Sequence, residues 1–302
     1  MRAQSSATVP AAIAVPPSAT GGTALAALGV VAFSLTFPAT VWAMDGLGPW
    51  TTTWVRVTLA AAIAGCCLMA VRARPPARRH WAGIAVAAAG SVTGFPLLST
   101  LALQTSDASH AAVVVGLLPL ATAVYATTRA HSRPSPIFWI AAGAGAALVV
   151  GFTAAQSGGA PTLGDVYLFI AVLLCAAAYG EGARLSREFP GWQVNAWALL
   201  LSLPLAVPGL AIALLTEPAT LTPRTVTGVL WLAVGSGIVG LAVWYRGLAR
   251  AGITRASQLQ LAQPLLTLLW SVLLLGEHLP AETLATALGV LLCIAVTQRS
   301  RG

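Results

Sequence analysis

The chain of 302 residues is 57% hydrophobic and 8% charged, and its mean hydropathy is +0.83. Soluble domains carry about 25% charged residues, so this composition excludes a soluble globular protein and indicates a polytopic protein embedded in a lipid bilayer. The net charge of +8 comes from 16 basic residues, all arginine, against eight acidic ones. Because nucleic-acid binding needs a soluble basic face, we expect no nucleic-acid partner.

Ten apolar stretches are long enough to cross a membrane, since a bilayer core of about 30 Å needs roughly 20 residues per helix. Every backbone polar group in lipid must be satisfied within its own segment, which favours helices over open strands. The stretches cover residues 23–43, 50–71, 81–104, 108–128, 136–155, 164–183, 193–215, 226–246, 256–275 and 281–297. The sequence therefore predicts an all-α integral membrane protein with ten transmembrane helices, preceded by a disordered cytoplasmic tail over residues 1–22.

The arginines lie almost entirely in alternate connections between these stretches. One side of the membrane receives all the connecting arginines except Arg224. The opposite side holds six acidic residues, namely Asp45, Asp107, Asp165, Glu217, Glu277 and Glu282. By the positive-inside rule, we expect a plasma (inner) membrane protein with both termini in the cytoplasm.

The two halves of the chain share a pattern at an offset of 145 residues. The matched positions are Ala111/Ala256, Pro119/Pro264, Leu120/Leu265, Thr122/Thr267 and the pairs Gly90-Ser91/Gly235-Ser236. This offset spans five helices, an odd number, so the second half must enter the membrane in the opposite direction. The sequence thus predicts two inverted five-helix repeats, residues 23–155 and 164–297. Secondary transporters use this arrangement and bind substrate near the midplane between the repeats, although duplicated helices can also build a receptor or a scaffold.

The clearest motif is the run from Thr254 to Glu277. A Thr-Arg-Ala-Ser entry leads into an apolar span that contains Pro264 and closes on Leu275, Gly276 and Glu277. This run resembles the last repeat of the drug/metabolite transporter (DMT) superfamily, EamA type, and the resemblance covers nearly the whole chain after residue 22. The first repeat departs from the pattern, because it ends in Arg-Ala-His-Ser from Arg129 where the family has Gly-Glu.

The resemblance implies a secondary-active transporter that exports small organic metabolites, such as amino acids or related compounds, or drugs. Uptake or exchange is the alternative within transport. Arg56 resembles an arginine common in the second helix of this family, for which packing or a charge on the cavity wall is the implied role.

The ninth predicted helix carries a polar stripe, which the fourth helix faces in register. A lipid-facing glutamine would leave its amide without partners, so this stripe should face protein or a water-filled cavity. The predicted substrate-site residues here are Gln260, Gln263, Thr267 and Trp270, with Thr122 and Tyr125 on the fourth helix. The alternative is that these groups only join helices by hydrogen bonds. Pro119 and Pro264 each free a carbonyl four residues upstream and are predicted to be structural hinges.

An acidic residue within a membrane span is a functional hypothesis by default, which singles out Glu181 and its neighbour Tyr179. In one interpretation both side chains face the cavity, where desolvation favours the protonated acid and Glu181 couples protons to transport. In the other, Glu181 lies near the cytoplasmic boundary and pairs with Arg184 one turn away. The histidines and cysteines have no metal-site spacing and no catalytic motif is present, so no metal, cofactor or enzymatic activity is predicted. No GxxxG seam stands out to indicate an oligomeric state.

Overall fold

The structure is a computed structural model, and it describes residues 19–129, 135–156, 162–186, 188–251 and 259–299. Apart from one antiparallel bridge between Leu47 and Ala219, the regular structure of these residues is helical. The helices are helix 1 (Ala19–Ser34 and Thr36–Met44), helix 2 (Pro49–Ala70), helix 3 (Trp81–Ala87, Ala88–Gly94 and Phe95–Ala102), helix 4 (Ala108–Val115 and Leu118–Arg129), helix 5 (Pro136–Gln156), helix 6 (Leu163–Leu185), helix 7 (Gly191–Thr216), helix 8 (Pro223–Leu230, Trp231–Gly240 and Leu241–Ala251), helix 9 (Ala262–Trp270 and Ser271–Leu275) and helix 10 (Ala281–Arg299).

The predicted all-helical membrane fold is confirmed. Helices 1 to 8 are long and apolar enough to cross a membrane, and the described parts of helices 9 and 10 form two shorter apolar helices. Helix 1 begins at Ala19, inside the predicted tail, and residues 1–18 of that tail lie outside the described residues. The predicted entry to helix 9, which includes Ser257, also lies outside them.

The irregular stretches of the helices recur at the 145-residue offset. Helix 3 contains a π-helical segment, Ala88–Gly94, and helix 8 contains another, Trp231–Gly240. Helix 4 is broken between Val115 and Leu118, and a turn at Leu261 interrupts the chain at the equivalent place before helix 9. A proline that lacks its N–H follows each break, so the same local chemistry produces the same interruption twice.

The connections meet at two opposite ends of the helix bundle. At one end, Thr220 N donates to Gly46 O (2.7 Å), Arg224 pairs with Asp45 (3.1 Å) and His110 contacts Asp165 (2.6 Å). At the other end, Arg79 pairs with Glu188 (3.1 Å). Consecutive connections thus alternate between the ends, as short links between antiparallel helices require.

Buried side chains form two main clusters. The larger surrounds the first part of helix 4 and includes residues of helices 5, 6 and 10, and the other joins helices 2, 3 and 7. Large aliphatic side chains cover the outer surface, for example Leu215 (87% exposed) and Ile140 (71% exposed). This outward apolar surface is what a lipid-facing bundle presents.

Candidate functional site

A cavity lies in the interior of the bundle, and eight of the ten helices contribute to its wall. Its volume is about 100 Å³. Three phenylalanines, Phe33, Phe37 and Phe95, form part of its apolar lining. The polar and charged side chains in the wall are Thr36, Arg56, Ser91, Tyr179, Asn195, Ser236, Gln260, Gln263 and Thr267. Polar groups placed in a wall that is otherwise apolar are the usual composition of a small-molecule site.

Equivalent positions of the two halves line this cavity together. The pairs at the 145-residue offset include Ser91/Ser236, Val115/Gln260, Leu118/Gln263 and Pro119/Pro264. These residues belong to the π-helical segments of helices 3 and 8 and to the breaks at helices 4 and 9. The cavity therefore lies on the interface between the two repeats, where both chain halves are irregular.

Most of the predicted site residues lie in the cavity wall. Gln260, Gln263, Thr267, Tyr179 and Arg56 all line it, and so do the two prolines predicted as hinges, Pro119 and Pro264. Gln260 is 8% exposed and Thr267 4% exposed. The side chain of Thr267 is already engaged, since its hydroxyl hydrogen-bonds the carbonyls of Ser34 and Gln263 (both 3.0 Å). Thr267 therefore holds helix 1 at its interruption, while the two glutamine amides are the adaptable polar groups of the stripe.

Four of the predicted site residues, Thr122, Tyr125, Trp270 and Glu181, lie outside the wall. Trp270 Nε1 donates to Ser34 Oγ (2.9 Å), which fixes helix 9 against helix 1. Thr122 donates to the carbonyl of Leu118 in its own helix (2.8 Å). Trp270 therefore corresponds to the alternative role of joining helices, whereas the Thr122 hydroxyl is satisfied within its own helix.

Glu181 belongs to an ion cluster at one end of the bundle, the same end at which Arg79 pairs with Glu188. The Glu181 side chain is 4% exposed. Oε1 accepts from Arg129 Nη2 (2.9 Å) and from the Tyr125 hydroxyl (3.2 Å), and Oε2 accepts from Arg184 Nε (2.8 Å). Tyr179 lines the cavity whereas Glu181 does not, because residues two apart on a helix point about 200° away from each other. The carboxylate thus joins helix 4 of the first repeat to helix 6 of the second.

Arg129 is the residue that the sequence analysis missed in this cluster. In the sequence, Arg129 stands out only as part of the departure from the family pattern at the end of the first repeat, and the spacing predicts Arg184 as the one partner of Glu181. Its signal was available in the charge pattern, since an arginine at the end of helix 4 and an acid at the end of helix 6 share one side of the membrane.

Four further polar residues of the cavity wall were also missed, because each is a small polar side chain in a mainly apolar helix: Thr36, Ser91, Asn195 and Ser236. Thr36 Oγ1 and Ser236 Oγ hydrogen-bond each other across the repeat interface (2.9 Å). Asn195 Nδ2 donates to the carbonyl of Gly237 (2.9 Å), within the π-helical segment of helix 8. Of these, only Ser91 and Ser236 had a sequence signal, through the repeated Gly-Ser pair.

The Gly-Glu ending of helix 9 has a structural explanation. Gly276 has φ = 72°, a left-handed conformation that glycine adopts without steric cost and that ends the helix. Glu277 then turns back, and its two oxygens accept from the backbone N–H groups of Ala108 and Ser109 (2.9 Å each) at the start of helix 4. Glu217 does the same for helix 2 through the N–H of Thr51 (2.7 Å). Two acids of the second repeat therefore cap two helices of the first.

Comparisons with known proteins agree with this architecture. A family described as the EamA-like transporter family matches residues 20–153 and 162–298. A protein of Bacillus subtilis (strain 168) named Uncharacterized transporter YdeK is 42% identical over 275 residues, which covers 90% of this chain and 95% of the relative. An Uncharacterized transporter of Archaeoglobus fulgidus is 23% identical over 222 residues, which is 73% of this chain and 76% of that protein. A crystal structure with 20% sequence identity and a TM-score of 0.64 covers 92% of this chain and 96% of its own, and it shows the same fold.

Proposed function

Because the chain belongs to the EamA-like transporter family, we propose that it is a secondary-active transporter that carries small organic solutes through the cavity between its repeats. The observation that carries this proposal is the shared lining of the cavity by equivalent positions of both halves. A site built from two repeats changes its access when one repeat rocks against the other. The irregular segments of helices 3, 4, 8 and 9 border the site, which is where such a change needs adaptable backbone.

We further propose that the repeats are inverted and that access alternates between the two sides of the plasma membrane, with both termini in the cytoplasm. Contacts between the repeats at the two ends support this mechanism. Glu277 of the second repeat binds helix 4 of the first at one end, and Glu181 of the second repeat binds Arg129 of the first at the other. In this mechanism, these contacts break alternately as the cavity opens to each side. Export of metabolites or drugs is the proposed direction, and uptake or exchange would reverse only the net flux.

The test replaces the two adaptable amides of the cavity. Gln260→Leu and Gln263→Leu keep the size and the apolar character of helix 9 but remove its hydrogen bonds to a solute. Gln104→Leu makes the same chemical change in the exposed connection between helices 3 and 4, so it serves as the matched control. Thermal-shift screening of the purified wild-type protein against metabolites identifies a ligand, because a ligand of the folded state raises its apparent stability.

With that ligand, flux is measured in proteoliposomes that contain each variant. We expect Gln260→Leu and Gln263→Leu to insert and fold normally but to lose binding and flux, while Gln104→Leu matches the wild type. If both cavity variants transport as well as the control does, the stripe only holds helices together and the proposed site is wrong.

A further inference from the structure

We infer that the cavity selects organic anions, with Arg56 as the group that binds a carboxylate of the substrate. This inference rests on the proposed transport function and assigns a substrate class to the same site. It starts from the charges in the cavity wall. Among the described residues of the wall, Arg56 of helix 2 is the only ionisable group apart from the weak acids Cys175 and Tyr179.

The chain supplies no carboxylate that could neutralise Arg56. All eight of its acidic residues fall within the described ranges, and none of them lines the cavity. They lie towards the two ends of the bundle, where six of them pair with arginines or accept from helix N-termini: Asp45 with Arg224, Asp165 with helix 6, Glu181 with Arg129 and Arg184, Glu188 with Arg79, Glu217 with helix 2 and Glu277 with helix 4. Within the described chain, the Arg56 side chain takes part in no ion pair or hydrogen bond.

A guanidinium without a partner in a membrane interior is costly, because its charge loses the hydration that water provides. An anion in the cavity offsets that cost. A carboxylate suits a guanidinium best, since its two oxygens match the two parallel N–H donors of the fork. A cationic solute would instead meet an uncompensated positive charge with no acid in the wall to bind its ammonium group.

The remaining wall indicates what the anion carries. Phe33, Phe37 and Phe95 form an apolar surface of three aromatic rings, which favours an aromatic or branched aliphatic body. The amides of Gln260 and Gln263 offer neutral donors and acceptors for one further polar substituent. The structure therefore favours small carboxylates with an apolar body, including amino acids whose ammonium group is bound by neutral acceptors, over organic cations.

The experiment compares acids, amides and amines of the same carbon skeleton. The full chain is reconstituted in nanodiscs, and binding is measured by thermal shift and by calorimetry. Ligand concentrations extend to about 10 mM, which is high enough to detect binding with a millimolar dissociation constant. The probes are phenylacetate, phenylacetamide and phenethylamine, then isovalerate, isovaleramide and isoamylamine, and finally phenylalanine and leucine. Each is tested on the wild type, Arg56→Gln, Arg56→Lys and Arg224→Gln. The last makes the same substitution at a half-exposed arginine outside the cavity.

We expect acids to bind the wild type and Arg224→Gln more tightly than the matched amides, and amines to bind least. The dissociation constant of the acids should rise about 10- to 100-fold in Arg56→Gln, the size expected for a lost hydrogen bond to a charged group. The loss should be smaller in Arg56→Lys, which keeps the charge but not the fork, and amides should be little affected by either change.

Tighter binding of amines or amides than of acids would overturn the inference and leave the transport function standing. So would acids that bind Arg56→Gln as tightly as the wild type. If no compound of any class binds, the cavity is not a solute site and both proposals fail. Should Arg56→Gln fail to fold, the order of affinities on the wild type still decides between the charge classes.

Discussion

The ion cluster around Glu181 offers the sharpest test of how the ends of the bundle are held together. Replacing Glu181 with Gln keeps the shape of the side chain and one acceptor oxygen, so the hydrogen bond from Tyr125 can persist. It removes the negative charge that pairs with Arg129 and Arg184 at 2.9 and 2.8 Å. Because the carboxylate binds arginines rather than lining the cavity, we expect it to stabilise the bundle and not to carry protons.

The expected loss of stability is modest, because the arginine heads are solvated. Their side chains are 66% and 45% exposed, and ion pairs with exposed partners contribute roughly 0.2–1 kcal/mol each. For the two pairs together, the loss in Glu181→Gln should therefore be about 0.4–2 kcal/mol. In a double-mutant cycle with Arg184→Ala, the coupling energy between the two residues should be about 0.5–1 kcal/mol.

The four proteins of this cycle are compared by equilibrium unfolding in detergent micelles and by the pH dependence of transport in proteoliposomes. Glu188→Gln is the matched control, since this acid lies at the same end but is 39% exposed and should cost less. Transport by Glu181→Gln should keep the pH dependence of the wild type. A flattened pH profile in a well-folded Glu181→Gln protein, whatever residue occupies position 184, would refute this reasoning and return Glu181 to the role of coupling acid.

Two further predictions concern the contacts between the repeats. Gly228→Ala places a Cβ 2.5 Å from a backbone oxygen of helix 1 and should destabilise the protein by about 1–3 kcal/mol through overpacking. The control is Gly143→Ala, whose Cβ has nothing within 4 Å and which should leave stability unchanged or raise it by up to about 1 kcal/mol. Equal effects of the two variants on thermal unfolding would contradict this packing. Glu277→Gln should lower the stability of the protein by about 1 kcal/mol, since a neutral amide has one acceptor for two helix N–H groups and no charge for the helix dipole. If the variant unfolds at the same denaturant concentration as the wild type, the cap is dispensable.

The sequence predicted the fold and much of the site because both depend on patterns that a single chain displays. Apolar length identified the spans, and a proline repeated at Pro119 and Pro264 located the breaks that border the cavity. The amides Gln260 and Gln263 were recognised because two such groups on one apolar helix need a polar surface to face.

What the sequence did not reveal depends on helix rotation and on long-range pairing. Trp270 continues the polar stripe in sequence, yet its ring binds Ser34 of helix 1. Asn195 had no partner within reach along the chain, since its bond goes to Gly237 in the next helix. Glu181 showed one partner one turn away, but the second, Arg129, comes from the other repeat. Contacts of this kind follow from how helices are rotated against one another, which composition and periodicity do not determine in so uniformly apolar a chain.

Alternating access to the cavity between the repeats is tested most directly by thiol labelling of Gln263→Cys. The four native cysteines are first replaced by alanine, since Cys175 itself lines the cavity. Sidedness is calibrated by Arg78→Cys, which should react with a membrane-impermeant methanethiosulfonate only from the cytoplasm, and by Asp107→Cys, which should react only from outside. We expect the thiol at position 263 to react both in sealed right-side-out vesicles and in sealed inverted vesicles. Reaction from one side alone under all conditions would contradict the transport mechanism.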